Sequence, residues 1–348
     1  MSSIARNQSQ PCSPLHLPFL LLTGILATSL FVFASVPARA YTLPDTGLTQ
    51  CFDTSESAIP CPARGMPFYG QDGNFRGAQP RYLDNGNGTA KDQITGLTWQ
   101  TAGASGVDGR TWDEAVTACQ NLSLGSVSGW RLPTEQELLS IVNYGPYNWA
   151  TTLPGPDPDG APYWSSTSMA GATGEAWTVD YSSGTPDHKA KTDAYSVRCV
   201  SGTALPGPNL TDKGNGTVSD ASTGLVWEKA ASASASDWET ALNYCSTRTT
   251  GGFKDWRLPN QRELLSLANF SLTNPTLNPV FDTATPIWSS TSGGYSPTAW
   301  RGDFTQGSQP IWSISKVEWK TATLYSRCVR GGLPLPGVPG VLVILLNQ

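Results

Sequence analysis

His188, in the run Pro186-Asp187-His188-Lys189, is the only imidazole after residue 40; the chain's other histidine is His16. A Ser-His-Asp triad would have to be built on that one ring. A two-histidine zinc site would need a second. No Gly-x-Ser-x-Gly elbow and no Gly-x-x-x-x-Gly-Lys phosphate loop is present. His188 is therefore read as an exposed loop residue, no catalytic residue is assigned, and the chain is expected not to be an enzyme. Aspartates supply the other candidate chemistry. Asp157-Pro158-Asp159-Gly160 and the Asp-x-Gly-Asn-Gly turns at Asp84 and Asp212 offer oxygen ligands. None has the spacing of a twelve-residue calcium loop. They are read as turns, with a structural calcium ion as the one cofactor they could hold.

Cysteines and aromatic residues carry more of the pattern. The chain has seven cysteines, and six follow residue 40: Cys51, Cys61, Cys119, Cys199, Cys245 and Cys328. Aromatic residues in stretches rich in Gly, Pro and Ser are the best candidates to stack on a sugar ring: Tyr147, Trp149, Trp312 and Trp319. Basic residues gather ahead of or beside the last cysteines: His188, Lys189, Lys191 and Arg198, then Lys316, Lys320, Arg327 and Arg330. A strip of this kind suits an anionic polymer even on a chain of net charge −5. Lys189, Lys191, Lys316 and Lys320 join the aromatic residues as candidate ligand contacts. A nucleic-acid partner is not expected, and self-association is left open.

The elements that position these residues come in two copies. Asp84-x-Gly-Asn-Gly-Thr89 returns at Asp212–Thr217, and Asp92-x-x-Thr-Gly-Leu-x-Trp99 at Asp220–Trp227. Trp112 and Cys119 return as Trp238 and Cys245, and Trp130-Arg-Leu-Pro133 as Trp256–Pro259. Glu137-Leu-Leu-Ser140 matches Glu263–Ser266, Trp164-Ser-Ser-Thr-Ser168 matches Trp288–Ser292, and Arg198-Cys-Val200 matches Arg327–Val329. Residues kept in both copies, tryptophans included, are read as core; Arg131, Glu137, Arg257 and Glu263 are read as structural ion pairs or caps. The simplest pairing is Cys119–Cys199 and Cys245–Cys328, which leaves Cys51 and Cys61 to close a small loop. Closing loops of about eighty residues stabilises each copy by roughly 4–5 kcal/mol in the chain-entropy limit.

Local patterns predict α+β copies. Asn-Gly turns join short strands into a meander. Thr111 with Glu114, and Ser236 with Glu239, predict capped starts for a first helix. Thr134 with Glu137, and Asn260 with Glu263, do the same for a second. Trp112, Ala115, Val116 and Cys119 fall on one helix face. The expected copy is two helices on a twisted antiparallel sheet, with a disulfide from the first helix to the last strand. The expected boundaries are 81–205 and 206–332, after an extension at 41–80.

The ends read differently. Arg6 precedes an apolar run from Leu17 to Val36, and Ala38-Arg39-Ala40 follows, so residues 1–40 read as a secretory signal peptide cut after Ala40. The stretch 333–348 is an apolar tail; Val341–Leu346 is far shorter than the ~20 residues of a membrane helix. Charged residues make up 14% of the chain, against roughly 25% in ordinary soluble proteins. The even cysteine number fits a disulfide framework in an exported, secreted or cell-surface protein.

The ordered set of Gly96-Leu-x-Trp99, Trp112 to Cys119, Gly129-Trp-Arg-Leu-Pro133, Trp164-Ser-Ser-Thr167 and Arg198-Cys-Val200, with all second-copy partners, resembles the Lcl C-terminal domain family. That family takes its name from a bacterial collagen-like adhesin. The resemblance implies an exported bacterial adhesion or recognition protein that binds a glycan or another surface polymer, with a structural envelope component as the alternative. Arg131-Leu-Pro-Thr-Glu135 is also similar to a helix-opening segment of formylglycine-generating-enzyme-like proteins. That likeness implies a C-type-lectin-like fold for each copy, and an oxidase activity that would need a reactive cysteine pair.

Overall fold

Asp92 and Asp220 show why Asp-x-x-Thr-Gly recurs. Asp92 accepts the Ile94 amide at 2.8 Å and the Thr95 hydroxyl at 2.6 Å. Asp220 accepts the Ser222 amide at 2.9 Å and the Thr223 hydroxyl at 2.7 Å. Each carboxylate thus closes a local turn that a backbone alone would leave open. Gly96 and Gly224 follow at φ 79° and 74°, left-handed values that glycine adopts without steric cost. Asp84 and Asp212 likewise accept the amides of Gly86 and Gly214, so these aspartates serve as turn formers.

These turns lie in a computed structural model that describes residues 40–332 except 56, 102–108, 146–151, 155–161, 273–275, 284, 294–296 and 306–313. The expected signal peptide and tail, Asp157 and Asp159 fall outside the described residues. An opening segment carries a two-stranded ribbon, β1 (Cys51–Phe52) and β2 (Ala58–Ile59). The first copy follows with β3 (Tyr82–Asp84), β4 (Thr89–Asp92), β5 (Thr98–Gln100), α1 (Trp112–Gln120), β6 (Trp130–Arg131) and α2 (Glu135–Ser140). It continues through β7 (Pro162–Ser168), β8 (Glu175–Asp180), β9 (Thr185–Ala190) and β10 (Val200–Ser201). The second copy holds β11 (Leu210–Asp212), β12 (Thr217–Asp220), β13 (Val226–Glu228), α3 (Trp238–Ser246), α4 (Gln261–Ser266), β14 (Ile287–Ser292), β15 (Thr298–Gly302), β16 (Ser315–Trp319) and β17 (Val329–Arg330).

The fold is α+β, and each copy divides its strands between two antiparallel sheets, where the sequence suggested one. In the first copy these run β3-β4-β5-β10-β6 and β7-β8-β9; in the second, β11-β12-β13-β17 and β14-β15-β16. Registers repeat: Val200 faces Trp99 as Val329 faces Trp227. Disulfides join Cys51–Cys61, Cys119–Cys199 and Cys245–Cys328. The two long ones tie the first helix of each copy to the residue before its last strand, and each lies in its own aromatic cluster with Trp130 and Trp164 or Trp256 and Trp288.

Three of the four expected capping boxes form. Thr111 pairs with Glu114, Thr134 with Glu137 and Asn260 with Glu263. The fourth shifts by one residue. Asp237, not Ser236, caps α3 and accepts the Thr240 amide at 2.9 Å. Ser236 is engaged elsewhere: its backbone pairs with Leu324 and its carbonyl accepts Trp288 Nε1, just as Arg110 pairs with Tyr195 and accepts Trp164 Nε1. Before the second helix of each copy, Arg131 grips Glu137 with two bonds of 2.7 and 2.6 Å, and Arg257 grips Glu263 with 2.6 and 2.5 Å. The forked geometry orients both groups and joins the extended residue before each helix to the helix start.

The largest core runs through both copies. It holds Leu138, Leu139, Val142 and Trp177 from the first and Leu264, Leu265, Ala268 and Trp300 from the second. Arg262 donates to Val142 O and Gln136 to Ala268 O, the same contact with the copies exchanged. The two copies therefore share one apolar interior.

Candidate functional site

Trp319 ends β16, which among the described residues is an edge strand paired with β15 alone. Its side chain is 59% exposed. A large exposed indole at the end of a strand is suited to stacking on an apolar sugar face. Its counterpart in the first copy, by strand register against β8 and β15, is Ala190, so this surface belongs to the second copy alone. Lys316 is exposed on the same strand. Strand alternation sends residues 316 and 319 to opposite faces, so the structure does not bring them together. Tyr147, Trp149 and Trp312 lie outside the described residues.

The basic strip dissolves into separate structural roles. Lys320 is buried and unavailable to a ligand: it donates to Asp53 O at 2.6 Å and lies 4.4 Å from the centre of the Trp238 ring. Burial lowers its pKa to about 8. Lys189 pairs with Asp187 at 2.6 Å, and Lys191 lies over Trp112 while donating to Ser168 Oγ at 2.8 Å. Arg198 is buried, and Arg330 pairs with Asp255. Arg327 is fully buried, donates to the carbonyls of Glu228, Lys229 and Thr283, and lies over the Phe281 ring.

His188 is not an exposed loop residue. It sits half-buried in β9, opposite Trp177, with Nδ1 2.5 Å from Glu175 Oε2. A strand position between a carboxylate and an indole edge is a packing role. Among the described residues no cluster of three or more His, Cys, Asp or Glu could hold a metal ion. Among the described residues a small cleft lies between the copies, lined by Leu43, Gln136, Leu139, Arg262 and Leu265, and two larger ones lie where the opening segment meets the second copy. One is lined by Tyr41, Leu43, Asp45, Asn260 and Glu263, the other by Met66, Phe68, Glu239 and Asn243.

The opening segment was expected as an extension with its Cys51–Cys61 loop; what sequence reading missed is that it packs on the second copy. Asp72 is buried and accepts the hydroxyls of Thr46 and Thr291, each at 2.7 Å. Asp45 accepts the Gly77 amide at 2.7 Å and Asn260 Nδ2 at 3.2 Å, while its carbonyl accepts Arg262. Burial raises the pKa of both carboxyls, and for Asp72 the nearby Asp45 charge raises it further.

A profile described as the Lcl C-terminal domain matches residues 88–201 and again residues 216–330. A search of curated proteins returns no match.

Proposed function

Because the chain belongs to the Lcl C-terminal domain family over both of its copies, we propose that it is an exported bacterial surface protein of recognition or adhesion, binding a glycan or another surface polymer. The observation that carries this reading is the exposed Trp319 at the end of an edge strand, in a molecule whose tryptophans kept in both copies are buried apart from the partly exposed Trp112. Three disulfides are compatible with an extracellular setting. Among the described residues no helix is long and apolar enough to cross a membrane.

Each copy is read as a C-type-lectin-like fold, with two short helices, small antiparallel sheets and long loops. The oxidase reading is weakened by the cysteines. All six after residue 40 are paired in disulfides, which leaves no free thiol there for the reactive pair that chemistry needs. A structural calcium ion remains part of the proposal through Asp157 and Asp159.

The test is a glycan array and a heparin column, run with calcium and then with chelator, on the protein and on Trp319→Ala. Saturable binding that falls at least tenfold in the variant supports the reading. No binding by folded, fully disulfide-bonded protein would move the assignment to a structural envelope component. Binding untouched by the substitution would place the ligand elsewhere.

A further inference from the structure

The opening segment covers one face of the second copy, and among the described residues no segment covers the same face of the first. In the second copy Trp238 donates Nε1 to Ser289 O at 2.7 Å and its amide to Lys320 O at 3.0 Å. Thr291 accepts the Gln261 amide at 2.9 Å. In the first copy Trp112 donates to Ser165 O at 2.8 Å and its amide to Lys191 O at 3.0 Å, and Thr167 accepts the Glu135 amide at 3.0 Å. Each lysine amine lies over its tryptophan ring, at 4.4 Å for Lys320 and 4.1 Å for Lys191. The two frames are built alike, atom for atom.

Their surroundings differ. Over the second frame lie Phe68, 6.3 Å from the Trp238 ring, the carbonyls of Phe52 and Asp53 on the Lys320 amine, and the Asp72 carboxyl on the Thr291 hydroxyl. Trp238 and Thr291 are thereby fully buried. Over the first frame Trp112, Thr167 and Lys191 stay half-exposed, Ser168 is exposed, and the Lys191 amine turns to the Ser168 hydroxyl. A half-exposed indole with a lysine above it and a threonine hydroxyl beside it is a site with its donors in place.

We propose that the Trp112–Lys191–Thr167 face of the first copy is a docking site for a polypeptide loop of a partner protein. The seated segment defines what that loop carries: an aromatic side chain for Trp112, adjacent backbone carbonyls for the Lys191 amine, and a carboxylate for the Thr167 hydroxyl. Arg262, which holds the Asp45 carbonyl, is replaced by Gln136 in the first copy. The match is therefore to the Phe52–Asp72 part of the segment and not to its start. This site is separate from the Trp319 surface and stands whether or not that surface binds a glycan.

The probe is a synthetic peptide of residues Gln50–Phe75, closed through its Cys51–Cys61 disulfide, titrated into the full protein by calorimetry. The second copy's face is already filled from its own chain, so the expected result is one bound peptide per protein. Trp112→Ala and Lys191→Glu should each weaken binding at least tenfold, with Trp319→Ala unchanged. Lys191 is a partly exposed side chain, so its variant keeps the test valid if Trp112→Ala fails to fold. No binding at millimolar peptide overturns the proposal. So does binding that survives both variants, which would mean exchange with the segment on the second copy.

Discussion

Tyr144 meets Trp300 edge to face with ring centres 5.0 Å apart, and Phe270 meets Trp177 in the same way, also at 5.0 Å. Tyr144 and Phe270 each follow the second helix of their copy; Trp177 and Trp300 lie on the middle strands β8 and β15. Each copy thus inserts an aromatic ring against the other's central tryptophan. With the reciprocal Arg262 and Gln136 bonds, this is the geometry of a two-fold interface closed within one chain. It explains why the core is continuous.

Symmetry makes one of these rings testable. The Tyr144 hydroxyl is buried and has no hydrogen-bond partner among the described residues, whereas the equivalent Phe270 has no hydroxyl to satisfy. Burial also pushes the phenol well above its ordinary pKa. Removing an unsatisfied buried hydroxyl should stabilise by about 1 kcal/mol. Tyr144→Phe is expected to raise the urea midpoint, while Tyr144→Ala should cost about 3–5 kcal/mol. A destabilised Tyr144→Phe would show that the hydroxyl has a partner after all.

Glu135 offers a second asymmetry between copies. Its counterpart Gln261 donates to Ser315 Oγ at 2.8 Å and Arg301 O at 3.3 Å. Glu135 places a fully buried carboxyl there, and burial raises its pKa well above 4.5, with the Asp187 charge reinforcing the rise. A raised acid favours the fold below the unfolded pKa, and that contribution is lost as pH rises through the folded value. Glu135→Gln should therefore stabilise at pH 7.5 by about 1–3 kcal/mol and show little gain near pH 4.5. Denaturant melts at the two pH values check this; equal gains at both would sink it.

The legible part of this molecule was what recurs. Trp99, Trp164, Trp227 and Trp288 fell into the core as expected because a residue kept at the same step of two copies answers to packing. Asp92 and Asp220 were turn residues for the same reason. The capping motif at Thr111 was read correctly, and Ser236 misled because a backbone bridge occupied it, which no local pattern records. The candidate ligand residues fared worse. Lys320 looked like part of a basic strip, but it is buried by a segment more than 260 positions away in sequence. Contacts of that range leave no periodic trace.

The carboxyl of Asp72 ties the opening segment to Thr291, and its raised pKa gives that tie a pH dependence. Burial and Asp45 both disfavour the charged form. The segment's docking should tighten as pH falls through the raised value toward about 3.8, the unfolded one, and loosen as pH rises. Asp72→Asn keeps an oxygen for both threonine hydroxyls and removes the titration. Hydrogen exchange of residues 41–80 between pH 5 and 8 should slow toward pH 5 in the parent protein, beyond the intrinsic rate change. In Asp72→Asn that excess should shrink to the share that Asp45 carries; if it is unchanged, another group controls the segment.

The Cys51–Cys61 disulfide closes a short loop, with a sequence separation of 10. In the chain-entropy limit such a loop contributes about 3 kcal/mol. That stabilisation falls on the segment, since the two copies keep their own disulfides and the shared core between them. Cys51→Ser with Cys61→Ser should therefore free the segment without unfolding either copy. Phe68 and the Phe52 and Asp53 carbonyls would leave Trp238 and Lys320, and Trp238 would pass from full burial to the half-exposed state of Trp112. A red shift in tryptophan fluorescence, with far-ultraviolet circular dichroism preserved, is the expected signature. Loss of the dichroism as well would show that the second copy cannot fold without its cover, and would make the open face of the first copy the exception that its own sequence sustains.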